Sequence, residues 1–203
     1  MFNYDAELMA GFVVFAMVTA ITPGPNNFLL LSSGLHFGWR RSLPHVFGII
    51  VGVSIVLIVM GLGLGQYLEA NPAVHQLIRW PGVAVILYFA WKIITSTSLE
   101  TSAKRYRPFT FVEACLFQWI NPKALIIMLT MISAYTTPEY SVYSQLTVMV
   151  LISTVAATVA TTSWVMIGVN LHQLLKNPKH LKVFNICMGL ALVIAVLPII
   201  LNN

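Results

Sequence analysis

The sequence predicts an all-α integral membrane protein, with six transmembrane helices arranged as two inverted three-helix repeats, the first helix of each repeat broken at a proline. Three observations carry that expectation. Of 203 residues, 58% are hydrophobic and only 8% charged, with a mean hydropathy of +0.84. The apolar residues form runs long enough to cross a bilayer, separated by short polar segments. Two of those runs, 99 residues apart, are each interrupted by a polar residue followed by proline.

A soluble domain carries about 25% charged residues, and no water-facing surface could be covered with so few. A spanning helix needs roughly 20 mostly apolar residues. Six helices and short loops therefore use the whole chain as a single membrane domain, 1–203. Helix is the regular structure that satisfies the backbone of such runs in lipid. The spans read as 8–34, 42–65, 73–95, 110–134, 145–170 and 181–201.

Each span has its own signature. The first holds Thr22, Pro23, Gly24, Pro25, Asn26 and Asn27 inside apolar sequence. The second has His45 near its start and Gly48 and Gly52 at the spacing of close helix packing. The third ends on Lys92, whose stem can reach the interface. The fourth carries Glu113, then Gln118, Trp119, Asn121, Pro122 and Lys123. The fifth is rich in small and hydroxyl residues from Ser153 to Ser163, which suit packing first and a polar conduit second. The sixth is almost wholly apolar. Cys115 and Cys187 lie within spans as packing residues, with no CxxC pair to suggest zinc or a redox dithiol. No cofactor and no metal are expected.

The formal net charge of +5 does not point to nucleic acid, because the basic residues sit between apolar spans. Arg40 and Arg41 fall in the first loop, Lys104, Arg105 and Arg107 in the third, and Lys176, Lys179 and Lys182 in the fifth. The even loops hold only Arg79 as a basic residue, with Glu139 in the fourth; Asp5 and Glu7 lie near the amino terminus. By the positive-inside rule the odd loops are cytoplasmic and both termini face outward. Trp39, Trp91 and Trp164 are placed near the cytoplasmic interface and Trp80 near the outer one. The acidic amino-terminal segment lacks a signal peptide's basic start, so the first span is expected to be retained.

Sliding the chain by 99 residues sets Phe12 on Phe111, Val13 on Val112, Ile21 on Ile120, Pro23 on Pro122 and Leu30 on Leu129. The pseudo-repeats are 1–100 and 101–203. Three spans per half invert the second relative to the first. Paired interrupted helices in such a repeat point to a transporter site near the bilayer midplane. Proline removes a backbone donor and clashes with the preceding turn. Half-helices would then begin near Asn26 and Lys123, their partly positive N-termini approaching the midplane from opposite sides, an arrangement that suits a carboxylate. The bland alternative is two kinks that only shape packing.

Lys123 is the sharpest single residue. An ammonium that deep costs several kcal/mol or more unless paired or hydrated. It could bind a substrate carboxylate, carry a proton, or satisfy carbonyls opened by Pro122. Glu113 could couple to a proton or receive an amino group, but a role as an interfacial cap beside Arg105 and Arg107 is favoured. Asn26 and Asn27 can donate and accept together, which suits a zwitterion as well as repair of a broken helix. Trp119 is a cavity wall or core packing.

The run TPGPNNFLLLSSGLHFGWRRSLPHVFGIIVG (Thr22 to Gly52), with GVAVILYFAWKI (Gly82 to Ile93) and FQWINPKALI (Phe117 to Ile126), resembles the LysE/RhtB amino-acid exporters over nearly the full chain. Within that family it looks most like the cysteine/O-acetylserine branch. The resemblance implies proton-driven export of amino acids or close derivatives across a bacterial inner membrane. It also implies that Pro23, Gly24, Pro25, Asn26, Asn121, Pro122 and Lys123 are functional positions. No second carboxylate lies within the spans, which favours a neutral amino acid over a dicationic one. The expected partners are thus an amino-acid substrate, a proton and the bilayer; a homodimer is left open. The alternatives are a transporter of other cargo, such as a basic amino acid, homoserine or threonine, or a metal ion, and last an integral membrane enzyme.

Overall fold

The computed structural model describes residues 6–95, 107–137, 139–175 and 177–201. Asp5, Lys104, Arg105 and Lys176 of the charge pattern lie outside the described residues, as do the side chains of Glu7 and Arg79. Among the described residues the structure is helical and holds no strand. The helices are α1 (Ala6–Ile21), α2 (Pro25–Val59), α3 (Gly65–Ala70), α4 (Pro72–Ile94), α5 (Phe111–Phe117), α6 (Pro122–Tyr135), α7 (Val142–Leu174) and α8 (Pro178–Leu201). A π-helical turn, Met60–Leu64, joins α2 to α3.

Three stretches are long and apolar enough to cross a membrane: Pro25–Leu68, Val142–His172 and Pro178–Leu197. A fourth is the pair α5 and α6, which meets that test together but is bent by 61°. Large apolar side chains such as Val14, Leu116, Val155 and Ile194 are 60–66% exposed, as lipid as solvent allows.

The 44-residue stretch from Pro25 is not one straight rod. Gly38 has φ +74°, in the region that favours glycine. Ser33 and His45 flank it and would stand ~18 Å apart along a continuous helix. Their side chains lie 3.3 Å apart. Leu30, Val46 and Ile49 share one buried cluster for the same reason. The chain therefore folds back at Gly38 into a first arm, 25–37, and a second arm that begins at 39. The expected loop 35–41 shrinks to this single reversal. The second arm also runs past its expected end at 65 to Ala70, through the π turn and Gly63 at φ +129°.

Small residues set the closest crossings. A Cβ on Gly34 would meet the Val165 carbonyl oxygen, and one on Gly168 would meet that of Leu31, so α2 and α7 touch backbone to backbone in both directions. The second arm of α2 meets α5 through Gly48 against Phe111 and Gly52 against Cys115. A Cβ on Gly52 would lie 2.8 Å from the Cys115 oxygen. Gly52→Leu is accordingly expected to lower stability by about 1–3 kcal/mol through over-packing, read as earlier thermal unfolding of the detergent-purified protein. An unchanged midpoint would show that the two helices can separate freely.

Candidate functional site

The two interruptions meet. α1 ends at Ile21 and α2 starts at Pro25; α5 ends at Phe117 and α6 starts at Pro122. Proline stands in the first turn of both α2 and α6, where its missing N–H is no loss. A Cβ on Gly82 of α4 would overlap the Ile120 carbonyl, so that glycine seats the second break against α4.

The end of α1 leaves carbonyls without helical partners, and side chains from three directions take them. Asn27 Nδ2 donates to the Ala20 oxygen at 2.8 Å and the Thr22 oxygen at 2.9 Å. Trp164 Nε1 donates to the Ile21 oxygen at 3.1 Å. Lys123 Nζ donates to the Thr22 oxygen at 2.5 Å and the Pro23 oxygen at 3.3 Å. The ammonium thus sits at the negative end of α1. Carbonyl repair was one of three roles open to Lys123, but the carbonyls it holds belong to the opposite break rather than to the one opened by Pro122. The Lys123 stem also explains Gly24: a Cβ there would lie 2.6 Å from Lys123 Cδ.

A second link joins the two breaks. Asn26 Nδ2 donates to Gln118 Oε1 at 2.7 Å, and Gln118 Nε2 donates back to Asn26 Oδ1 at 3.3 Å and to the Ala114 oxygen at 2.8 Å. Gln118 is fully buried. Its partner was not readable from sequence, although a wholly buried amide within an apolar span is itself a signal, since such a group must be satisfied.

Between the breaks lies a cavity of ≈ 100 Å³. Gly24, Asn26, Asn27, Asn121 and Lys123 line it on one side, and α7 closes it with Ser153, Ala157, Ala160 and Thr161. The hydroxyl stripe of α7 thus serves packing and cavity wall together. No carboxylate is among the described lining residues. No side chain caps the N-terminus of α2 or of α6. Asn121 is 2% exposed and its Oδ1 has no hydrogen-bond partner. The site therefore offers an ammonium, two helix N-termini and an unused amide oxygen. At 10–15 Å³ per water-sized position, it holds about seven to ten such positions.

Several candidates fall elsewhere. Pro23, Pro25 and Pro122 shape the breaks without lining the cavity. Trp119 packs against the apolar cluster around Phe12, Leu57 and Met128 and does not line the cavity either. Trp164, expected near an interface, instead reaches the first break. α7 continues ten residues beyond it, to Leu174, which is ~15 Å of helix. Glu113 stands at the start of α5 in a reciprocal capping box with Thr110. It also binds both terminal nitrogens of Arg107, at 2.7 and 2.5 Å, and this carboxylate holds the Arg107 pKa above its ordinary value. Glu113 is thus a cap, away from the cavity. Water screens an exposed pair of this kind, so it adds little to stability. In the amino-acid export that the sequence resemblance implies, Glu113→Gln is expected to stay within twofold of the parent, measured as efflux of labelled amino acid; a larger loss would restore Glu113 as a coupling group.

Comparison with known proteins gives consistent findings. The family model for the LysE type translocator matches residues 17–201. A cysteine/O-acetylserine efflux protein of Salmonella typhimurium (strain LT2) is 33% identical over 132 residues, 65% of this chain and 67% of the relative. The cysteine/O-acetylserine efflux protein of Escherichia coli (strain K12) is 29% identical over 187 residues, 92% of this chain and 94% of the relative. No solved structure matches.

Proposed function

The chain belongs to the LysE type translocator family, a membrane transporter and not an enzyme, and from that premise we propose that it exports small neutral amino acids or their derivatives, of the cysteine and O-acetylserine kind, from the cytoplasm. The single observation that carries this reading is the central cavity. An ammonium, two uncapped helix N-termini and an unpartnered Asn121 oxygen border a space with no carboxylate among its described lining residues. That arrangement suits a zwitterion: the ammonium and the helix N-termini suit its α-carboxylate, and the amide oxygen, an acceptor, suits its amino group. It offers nothing to a second cationic group, which argues against lysine. The names of the relatives agree with a small polar cargo.

In this reading α1 with the first arm of α2 is one broken span, and α5 with α6 is its inverted counterpart. The second arm, α4, α7 and α8 complete six. The halves 1–100 and 101–203 rock about the fixed site to alternate access. The protein lies in the bacterial inner membrane with both termini periplasmic, and a homodimer is compatible with it. Export draws on the proton gradient. Of the two coupling candidates Lys123 borders the cavity and Glu113 does not, so the reading keeps Lys123.

The test is efflux of labelled cysteine, O-acetylserine, homoserine, threonine and lysine from cells with and without the protein. Faster loss of cysteine or O-acetylserine is expected, with lysine unchanged. No difference for any of them would overturn the exporter assignment.

A further inference from the structure

The central cavity has two unlike ends. Lys123 and Met131 both line it from α6, and the helical rise separates them by ~12 Å. Thr161 and Ser153 line it from α7 at the same spacing, again ~12 Å. Trp164, one turn along α7 from Thr161, donates to the Ile21 carbonyl, so Thr161 marks the end at the breaks. Ser153 Oγ lies 3.9 Å from Met131 Sδ, so these two mark the far end. α6 and α7 therefore run antiparallel along the cavity and give it a long axis. One end offers an ammonium and amides; the other offers a hydroxyl and the thioethers of Met128 and Met131.

Ser153 is 4% exposed, and its hydroxyl is used differently from others on α7. Thr147, Thr158 and Ser163 each donate to the carbonyl four residues back, at 2.7–2.8 Å. Ser153 instead donates across to α6, to the Met131 sulfur, which is a weak acceptor. A buried donor is thus aimed away from its own helix at a wall of the cavity. No charged side chain is among the described lining residues at this end.

We propose that the far end is the subsite for the cargo side chain, and that Ser153 Oγ donates to an acceptor carried near the tip of an uncharged side chain. The inference rests on the exporter reading above and narrows its cargo. With the carboxylate held at the breaks, the side chain extends along the axis toward Ser153. A thiol stays close to its own carboxylate, whereas the ester of O-acetylserine carries a carbonyl oxygen further along the same line. That oxygen is a better acceptor than a thioether, so it displaces Met131 from the hydroxyl. Met128 and Met131 are unbranched and polarizable, and they adjust to side chains of either length. A charged side chain would find no counter-charge there.

The test uses everted membrane vesicles of the full chain, which accumulate labelled cysteine when the chain exports it. Unlabelled O-acetylserine and O-ethylserine compete for that uptake in a mildly acidic buffer, where the ester does not migrate to the amine. These competitors match in length and differ in the carbonyl oxygen. In the parent, O-acetylserine is expected to inhibit at a concentration about three- to tenfold below O-ethylserine, the range that one neutral hydrogen bond supplies. In Ser153→Ala the two are expected to inhibit equally, because only the ester loses a partner. Equal inhibition in the parent overturns the proposal, as does a preference that survives in Ser153→Ala. A loss in Ser153→Ala that falls on both competitors alike, or on cysteine uptake itself, also overturns it, since a merely structural serine would give that result. Failure of the parent vesicles to accumulate cysteine overturns the exporter reading instead, before any competitor is compared.

Discussion

Lys123→Met is expected to bring export to background while the protein still inserts. The substitution keeps most of the apolar stem and removes the charge. It deletes the two hydrogen bonds to the Thr22 and Pro23 carbonyls. Hydrogen bonds to charged groups contribute about 1.5–3 kcal/mol each, less where water reaches, and Lys123 is only partly buried. A modest fall in thermal stability should therefore accompany the functional loss. Two of the three ammonium donors are engaged in this conformation, and the cargo carboxylate would compete for them. The measurement is efflux of labelled cysteine beside quantified protein in the membrane fraction. Normal export by the variant would remove Lys123 from the mechanism, and loss of the protein from the membrane would assign it a purely structural role.

Asn121→Leu is expected to separate binding from stability. The Asn121 oxygen is buried and unpartnered, and the side chain makes no cap to α6. Burying an unsatisfied acceptor costs about 1–3 kcal/mol, so an apolar replacement of similar shape should leave the melting temperature unchanged or raise it. If the amide meets the charged amino group of cargo, losing it costs about 1.5–3 kcal/mol of binding, which is roughly a 10- to 150-fold weaker half-saturating concentration. Equal export by the variant would show that the orphan oxygen serves no cargo. A large drop in stability would show that a structural partner satisfies it.

Much of this was legible because lipid is an unforgiving solvent. The broken helices announced themselves at Thr22-Pro23 and Asn121-Pro122, where proline follows a polar residue at matched positions; Pro44 and Pro81 lie inside α2 and α4 and break neither. The bounds of α4 and α8 fell within about three residues of expectation for the same reason. The interplay of the breaks was not legible. The bond between Asn26 and Gln118 spans 92 positions, and that between Lys123 and Thr22 spans 101. Hydropathy and local spacing carry no information about such distant partners. Trp164 shows the limit most plainly. Its depth was inferred from an expected end of the fifth span at 170, and four further residues of α7 place the indole beside the first break. Trp119 fell on the packing side of an even choice, because a tryptophan in mid-membrane looks the same in sequence whichever way its helix is turned.

The reach of Lys123 across the breaks has a consequence for leakage. The ammonium is tied to carbonyls of the other break, so the protein supplies its own internal stand-in for a ligand. In the proposed exporter such a tether would hold the two breaks in register until a competing anion arrives. A solute lacking a carboxylate would have nothing to offer in exchange and would leave the bolt drawn. Discrimination against the many uncharged metabolites of a cell would then reside in what it takes to undo a bond the protein makes to itself.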